Sequence, residues 1–115
     1  MNDTERTEKR EYPRVSVKWP VTILTDYALI EAEAVNITVN GVFIFSKDLL
    51  RLHETFPFLI SPPNRKSIEV TGTVIRSDHH SLDEQNISYG MGICFVKVSD
   101  EDRHFLKDMI SAHPR

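Results

Sequence analysis

Two arginines four positions apart, Arg10 and Arg14, stand where a charged N-terminal stretch meets the first apolar run of the chain. A guanidinium carries a planar fork of donors that fits a phosphate, or the O6 and N7 edge of a guanine, with two parallel hydrogen bonds; a lysine ammonium cannot do this. Pro13 stiffens the approach and disfavours helix, so the pair can embrace a ligand from a loop. By spacing alone, such a pair reads equally as solvated surface charge. The second group is Asn36-Ile37-Thr38-Val39-Asn40-Gly41, between two apolar runs. It offers an amide, a hydroxyl and a glycine that lets backbone N–H groups approach an anion or takes positive φ. Alone, it is a turn.

Other residue types capable of chemistry form no constellation. His79-His80, with Asp78 and Asp83 in a polar stretch, invite a metal, yet adjacent strand residues point to opposite faces and no third ligand follows at a sensible spacing. A solvated loop is the reading there. Cys94 sits in an alternating apolar run and reads as a buried, inert thiol. No nucleophile motif of the Gly-x-Ser-x-Gly kind occurs, so no catalytic residue, metal or cofactor is expected and the chain is read as a binding protein and not an enzyme.

These groups need a scaffold, and 115 residues suffice for one domain. Lys+Arg number 14 against Asp+Glu 17, a net charge of -3, which gives no long-range positive field for generic DNA or RNA. A single cysteine excludes an internal disulfide and a zinc ribbon. The charged N-terminus lacks the apolar stretch of a secretory signal, and no apolar run is long enough to span a bilayer. A cytoplasmic protein without membrane insertion is expected.

Met1 to Tyr12 alternate acids and bases without periodicity, and residues 1–13 are read as a flexible arm carrying the first arginine. From Val15 the apolar residues Val17, Trp19, Val21 and Ile23 fall on every second position, a half-buried strand in which Pro20 marks an edge or a bulge. Thr25-Asp26 turns the chain into a second strand along Ala28, Ile30, Ala32 and Ala34. A polar break covers Asn36 to Gly41. Val42 to Phe45 form a third strand, buried on both sides or closing a barrel. Lys47 to His53 make one helical turn or a loop over the barrel end. Phe56, Phe58 and Ile60 form a fourth strand ended by Pro62-Pro63-Asn64. Ile68, Val70, Val74 and Arg76 share one face of a fifth, with Gly72 a bend or bulge. Ser77 to Ser88 read as a long polar loop, and Tyr89, Met91, Ile93 and Phe95 as the sixth strand. Ser99 and Asp102 open an amphipathic helix, about residues 99–112, with Phe105, Leu106, Met109 and Ile110 as its apolar stripe. The fold class is therefore all-β with one C-terminal helix: a six-stranded antiparallel barrel over residues 14–115.

On these residues the chain resembles the PilZ domain family, whose members bind the bacterial second messenger cyclic di-GMP. The family pairs an Arg-x-x-x-Arg motif before its first strand with Asp/Asn-x-Ser-x-x-Gly between the second and third. Arg10 and Arg14 match the first; Asn36, Thr38 and Gly41 match the second, with Thr in place of Ser and the hydroxyl retained. Gly41-Val42-Phe43-Ile44 and Tyr89 to Phe95, followed by Ser99 to Arg103, look like the third strand, closing strand and helix entry. The resemblance implies a PilZ-type barrel acting as a cyclic di-GMP receptor. Arg10 and Arg14 would grip guanine edges and phosphates, Asn36 a guanine and Thr38 a phosphate or guanine group, while Gly41 keeps the turn open. Lys9 and Tyr12 are possible additional contacts. It further implies an arm that orders over the ligand and alters a surface for an unidentified protein partner, in a monomer or homodimer. A ligand-independent adaptor of the same fold, acting through protein contacts, is the alternative. A small-barrel nucleic-acid binder is a third reading, disfavoured by the charge.

Overall fold

The computed structural model describes residues 13–83 and 86–112. Six strands are followed by a helix: β1 (Val15–Leu24), β2 (Leu29–Ile37), β3 (Gly41–Ser46), β4 (Thr55–Ile60), β5 (Ile68–Asp83), β6 (Asn86–Val98) and α1 (Asp100–Ala112). All pairings are antiparallel, and the strands close into a barrel in the order β1-β2-β3-β6-β5-β4, with β4 returning to β1 through Val21↔Ile60, Thr22↔Leu59 and Ile23↔Phe58. Closure removes the unpaired sheet edges that an open sheet of this size would present.

Alternation explains the core. Val21 and Ile23 of β1, Ile44 of β3, Phe58 and Ile60 of β4, Val74 of β5 and Met91 of β6 are fully enclosed, each one of the inward positions of its strand. Leu106 and Ile110 of α1 join the same core, with Phe105 and Met109 half-buried beside them. The helix starts as its sequence requires: the Asp102 N–H donates to Ser99 Oγ at 3.0 Å, and the Arg103 N–H to the Ser99 carbonyl at 2.9 Å. Asp102 has a second role, an ion pair of 3.3 Å with Arg65 of the β4–β5 loop, both side chains largely buried. The Arg65 guanidinium also lies 4.1 Å from the Phe105 ring centroid, so one residue clamps α1 against the barrel through charge and ring together.

Several sequence expectations change in detail. Ser77 to Ser88 is no loop: β5 continues to Asp83 and β6 begins at Asn86, so the two strands form a hairpin arm. A ladder with no core beneath it has no reason to alternate apolar and polar residues, which is why the pattern was silent there. Lys47 to His53 forms a loop and not a helical turn. Its Leu50 is buried, and it is tied to β5 by the His53 N–H on the Val74 carbonyl at 2.7 Å and the Val74 N–H on the Glu54 carbonyl at 3.0 Å. Pro20 is not at an edge; it follows a bulge in β1 between Ser16 and Trp19 and pairs with Glu33. Gly72 is at a register shift, as its sequence position suggests. A Cβ there would meet Ile93 Cγ2 at 2.5 Å and the Phe58 ring at 3.3 Å, so the core side of this position is already full.

Candidate ligand-binding face

The β2–β3 turn is shorter than the polar break in the sequence. Asn36 and Ile37 belong to β2 and Gly41 opens β3, leaving only residues 38–40 between the strands. Thr38 builds this turn. Its backbone N–H donates to the Gly41 carbonyl at 2.9 Å, and its Oγ1 accepts from the N–H groups of Asn40 at 3.0 Å and Gly41 at 3.1 Å. The hydroxyl proton faces the Gly41 carbonyl at 3.5 Å, a long bond that leaves it free to turn to a better acceptor. The turn is also fastened to β6, where the Phe95 N–H donates to the Asn40 carbonyl at 2.9 Å.

Gly41 is required by contact and not by dihedral angle. No glycine among the described residues has positive φ, which removes that part of the sequence reading. A Cβ at Gly41 would instead run into the backbone carbonyl oxygen of Ile93, because β3 and β6 come together there with Gly41 opposite Cys94.

Asn36 reaches the outer surface through a bulge. β2 pairs Ala34 with Ile44 but Asn36 with Phe43, so Val35 is an extra residue, and both Ala34 and Ile37 can be buried with two residues between them. Asn36 is left half-buried on the outer face, and its side-chain amide has no hydrogen-bond partner among the described residues.

The registers place a row of residues side by side across four strand pairs: Ser16 of β1, Asn36 of β2, Phe43 of β3, Gly92 of β6 and Arg76 of β5. One step beyond the Val15↔Ile37 pair, Arg14 and Thr38 are the next facing positions, and Arg14 is exposed. The Arg14 end of the row thus adjoins the turn. At the other end, Arg76 extends over the gap left by Gly92, its guanidinium carbon 5.7 Å from the Phe43 ring centroid and a terminal nitrogen 3.3 Å from an Asp78 carboxylate oxygen. Phe43 and Phe45 meet edge to face at 5.7 Å between centroids, above Gly90, where a Cβ would lie 2.8 Å from the Phe43 ring.

Arg10, Lys9 and Tyr12 lie outside the described residues. Of the sequence candidates, the structure brings together Arg14, Asn36, Thr38 and Gly41. It adds Phe43 and Arg76, which the sequence reading missed. Arg76 was placed on the inward face with Val74. In fact β5 pairs Val74 with Ile93 and Arg76 with Gly92, so Ile75 is an extra residue and both Ile75 and Arg76 face out. The signal was available: an arginine in phase with core valines is a reason to expect a bulge before it. Cys94 is corrected in the same way. Met91 and Ile93 take the inward positions, leaving Cys94 half-buried on the outer face beside Gly41.

His79 stacks at 5.5 Å against the Tyr89 ring, and no cluster of metal-ligating side chains occurs among the described residues. The largest cavity, about 770 Å³, opens where β1 and β4 part beyond the Ile23↔Phe58 pair, between the β1–β2 turn and the loop before β4. None of the motif residues lines it. No helix among the described residues is long and apolar enough to cross a membrane.

Fold and face together define a small-barrel module that presents an arginine, an unpaired amide and an aromatic platform on one outer surface. The chain belongs to the PilZ domain family, which matches it over residues 8–112. Among solved structures it is similar to the PilZ domain of YcgR from Escherichia coli with c-di-GMP (TM-score 0.75, 14% identity, 91% of each chain covered). It is also similar to the Bacillus subtilis inhibitor of motility MotI/DgrA (TM-score 0.72, 18% identity, covering 91% of this chain and 53% of that one). A third is MrkH, described as a c-di-GMP-dependent transcription regulatory factor (TM-score 0.76, 13% identity, covering 89% of this chain and 49% of that one). The chain thus spans about half the length of the MotI/DgrA and MrkH chains. No curated protein matches it in sequence.

Proposed function

We propose that this chain is a cytoplasmic receptor for cyclic di-GMP, a binding and signalling module without catalytic activity. The observation that carries the reading is the row from Ser16 to Arg76, which starts beside Arg14 and contains the unpartnered Asn36 amide. Membership of the PilZ family and the likeness to a PilZ domain described with c-di-GMP support it.

Each group has chemistry to match. Arg14 and Arg10 supply bidentate donors to phosphates and guanine edges, with Lys9 and Tyr12 as further contacts from the arm. Asn36 offers the paired donor and acceptor of an amide to a base edge. The Thr38 hydroxyl donates to a phosphate or guanine acceptor while its lone pairs hold the turn. Gly41 keeps the turn seated against β6. Phe43 is a flat surface for a base, and Arg76 closes the far end with a second fork of donors. In the absence of ligand the arm, residues 1–13, is loose; engagement of its arginines wraps it over the nucleotide and alters the surface offered to a protein partner.

Calorimetric titration with cyclic di-GMP, with GTP as control, tests the reading. Binding at micromolar or tighter affinity, selective over GTP and weakened about 5- to 150-fold by Arg14→Ala, is the expected result. Absence of both heat and thermal stabilisation at millimolar cyclic di-GMP overturns it and assigns the domain to a ligand-independent adaptor.

A further inference from the structure

A second surface feature lies on the other side of the same strand start. Between β1, the β4–β5 loop and α1 runs a groove of about 320 Å³, walled by Val17, Trp19, Pro62, Pro63, Phe105 and Met109. The β1 bulge between Ser16 and Trp19 creates it, because the register shift brings Val17 as well as Trp19 toward the core and the helix. Ser16 is at its mouth and is also the first residue of the row on the ligand face.

We propose that this groove is the resting seat of the N-terminal arm, with Tyr12 as the side chain that occupies it, and that ligand binding vacates it. This rests on the receptor reading above and names the surface that reading leaves open. Three observations point to that occupant. The arm enters at Pro13, and Tyr12 is four positions from Ser16, a span of at most about 14 Å of extended chain. Tyr12 is the only aromatic residue among the first twelve, which are otherwise nearly all polar or charged. The groove is lined by rings, prolines and a thioether, the surroundings in which an aromatic side chain buries its body while a phenol hydroxyl stays at the wet rim.

The two positions of the arm exclude one another. Tyr12 lies between Arg10 and Arg14, so when both arginines hold one ligand on the outer face, Tyr12 is drawn to that face and leaves the groove. Pro13, with its fixed φ, transmits the change of direction between Tyr12 and Arg14. The remainder of the arm needs no seat and stays loose in both states. What the ligand uncovers is an apolar strip on β1 and α1, which is a surface suited to a protein partner.

Trp19 is the only tryptophan in the chain and forms one wall of the groove, so it reports occupancy directly. Its emission, acrylamide quenching and single indole N–H resonance are compared in wild-type protein, Tyr12→Ala and Tyr12→Phe, first without ligand. The expected result is a red-shifted emission, faster quenching and a displaced indole resonance in Tyr12→Ala, with wild-type values restored in Tyr12→Phe. Identical values in wild type and Tyr12→Ala overturn the proposal. So does protection of Trp19 that rises with protein concentration, which gives the groove to a second copy. Adding cyclic di-GMP to the wild type moves all three signals toward those of Tyr12→Ala. A protein that binds cyclic di-GMP by calorimetry with no change at Trp19 refutes the vacating step. Failure of the receptor reading is seen separately, as absence of binding heat, and leaves the ligand-free comparison intact.

Discussion

Replacing Gly41 with alanine tests why the second motif ends in glycine. The added Cβ lands against the Ile93 carbonyl oxygen, a backbone atom in the middle of β6 that cannot swing aside as the tip of a side chain could. Gly41↔Cys94 is the first pair of the β3–β6 ladder, so the strain is relieved by parting that end of the ladder and stretching the 2.9 Å bond from the Phe95 N–H to the Asn40 carbonyl. Overpacking of about 1–3 kcal/mol and one backbone hydrogen bond of about 1 kcal/mol together give about 2–4 kcal/mol. At roughly 4 °C per kcal/mol for a domain of this size, the melting temperature falls by about 8–16 °C. Thermal unfolding followed by far-ultraviolet circular dichroism, without ligand, measures it. Gly41→Asn separates the causes, because asparagine tolerates left-handed backbone but carries the same Cβ. Contact with Ile93 makes Asn at least as damaging as Ala, whereas a dihedral requirement would spare it. A Gly41→Ala melting temperature within about 2 °C of wild type would falsify the contact argument.

Three further outcomes follow from the same structure. Gly90→Ala pushes against the tips of the Phe43 and Phe45 rings, which can tilt, so calorimetry should show weakened cyclic di-GMP binding while the melting temperature falls by no more than about 4 °C, the equivalent of about 1 kcal/mol. Arg76→Ala is expected to lower affinity about 5- to 150-fold, and Arg76→Lys not to restore it, because an ammonium lacks the fork; full rescue by lysine would show that only charge matters. Asp102→Ala strands the largely buried Arg65 guanidinium and should destabilise the domain by about 3 kcal/mol in urea unfolding, whereas Ser99→Ala, which removes only a cap, costs about 1 kcal/mol.

Much of the barrel was legible because it is built on period two. The alternation of Val21 and Ile23, of Phe58 and Ile60, and of Met91 and Ile93 marks strands whose inner side chains are all buried, and the Ser99 cap with the Leu106 and Ile110 stripe marks the helix. Where the pattern failed, the cause was local. The hairpin arm beyond Ser77 pairs strand to strand with no core below it, so its sequence carries no alternation to detect.

Sequence by itself determined the class of element at most positions, the barrel with its terminal helix, and the residue types of the two motifs, because burial period and capping chemistry are short-range properties of the chain. Which face each site residue takes was decided only by tertiary structure. Single extra residues at Val35 and Ile75 and the register shift after Ser16 reverse the phase of everything beyond them, turning Asn36 and Arg76 outward and Val17 toward the helix. A bulge is selected by how six strands twist and close into one barrel, a constraint that links residues distant in sequence and leaves little trace in any one strand.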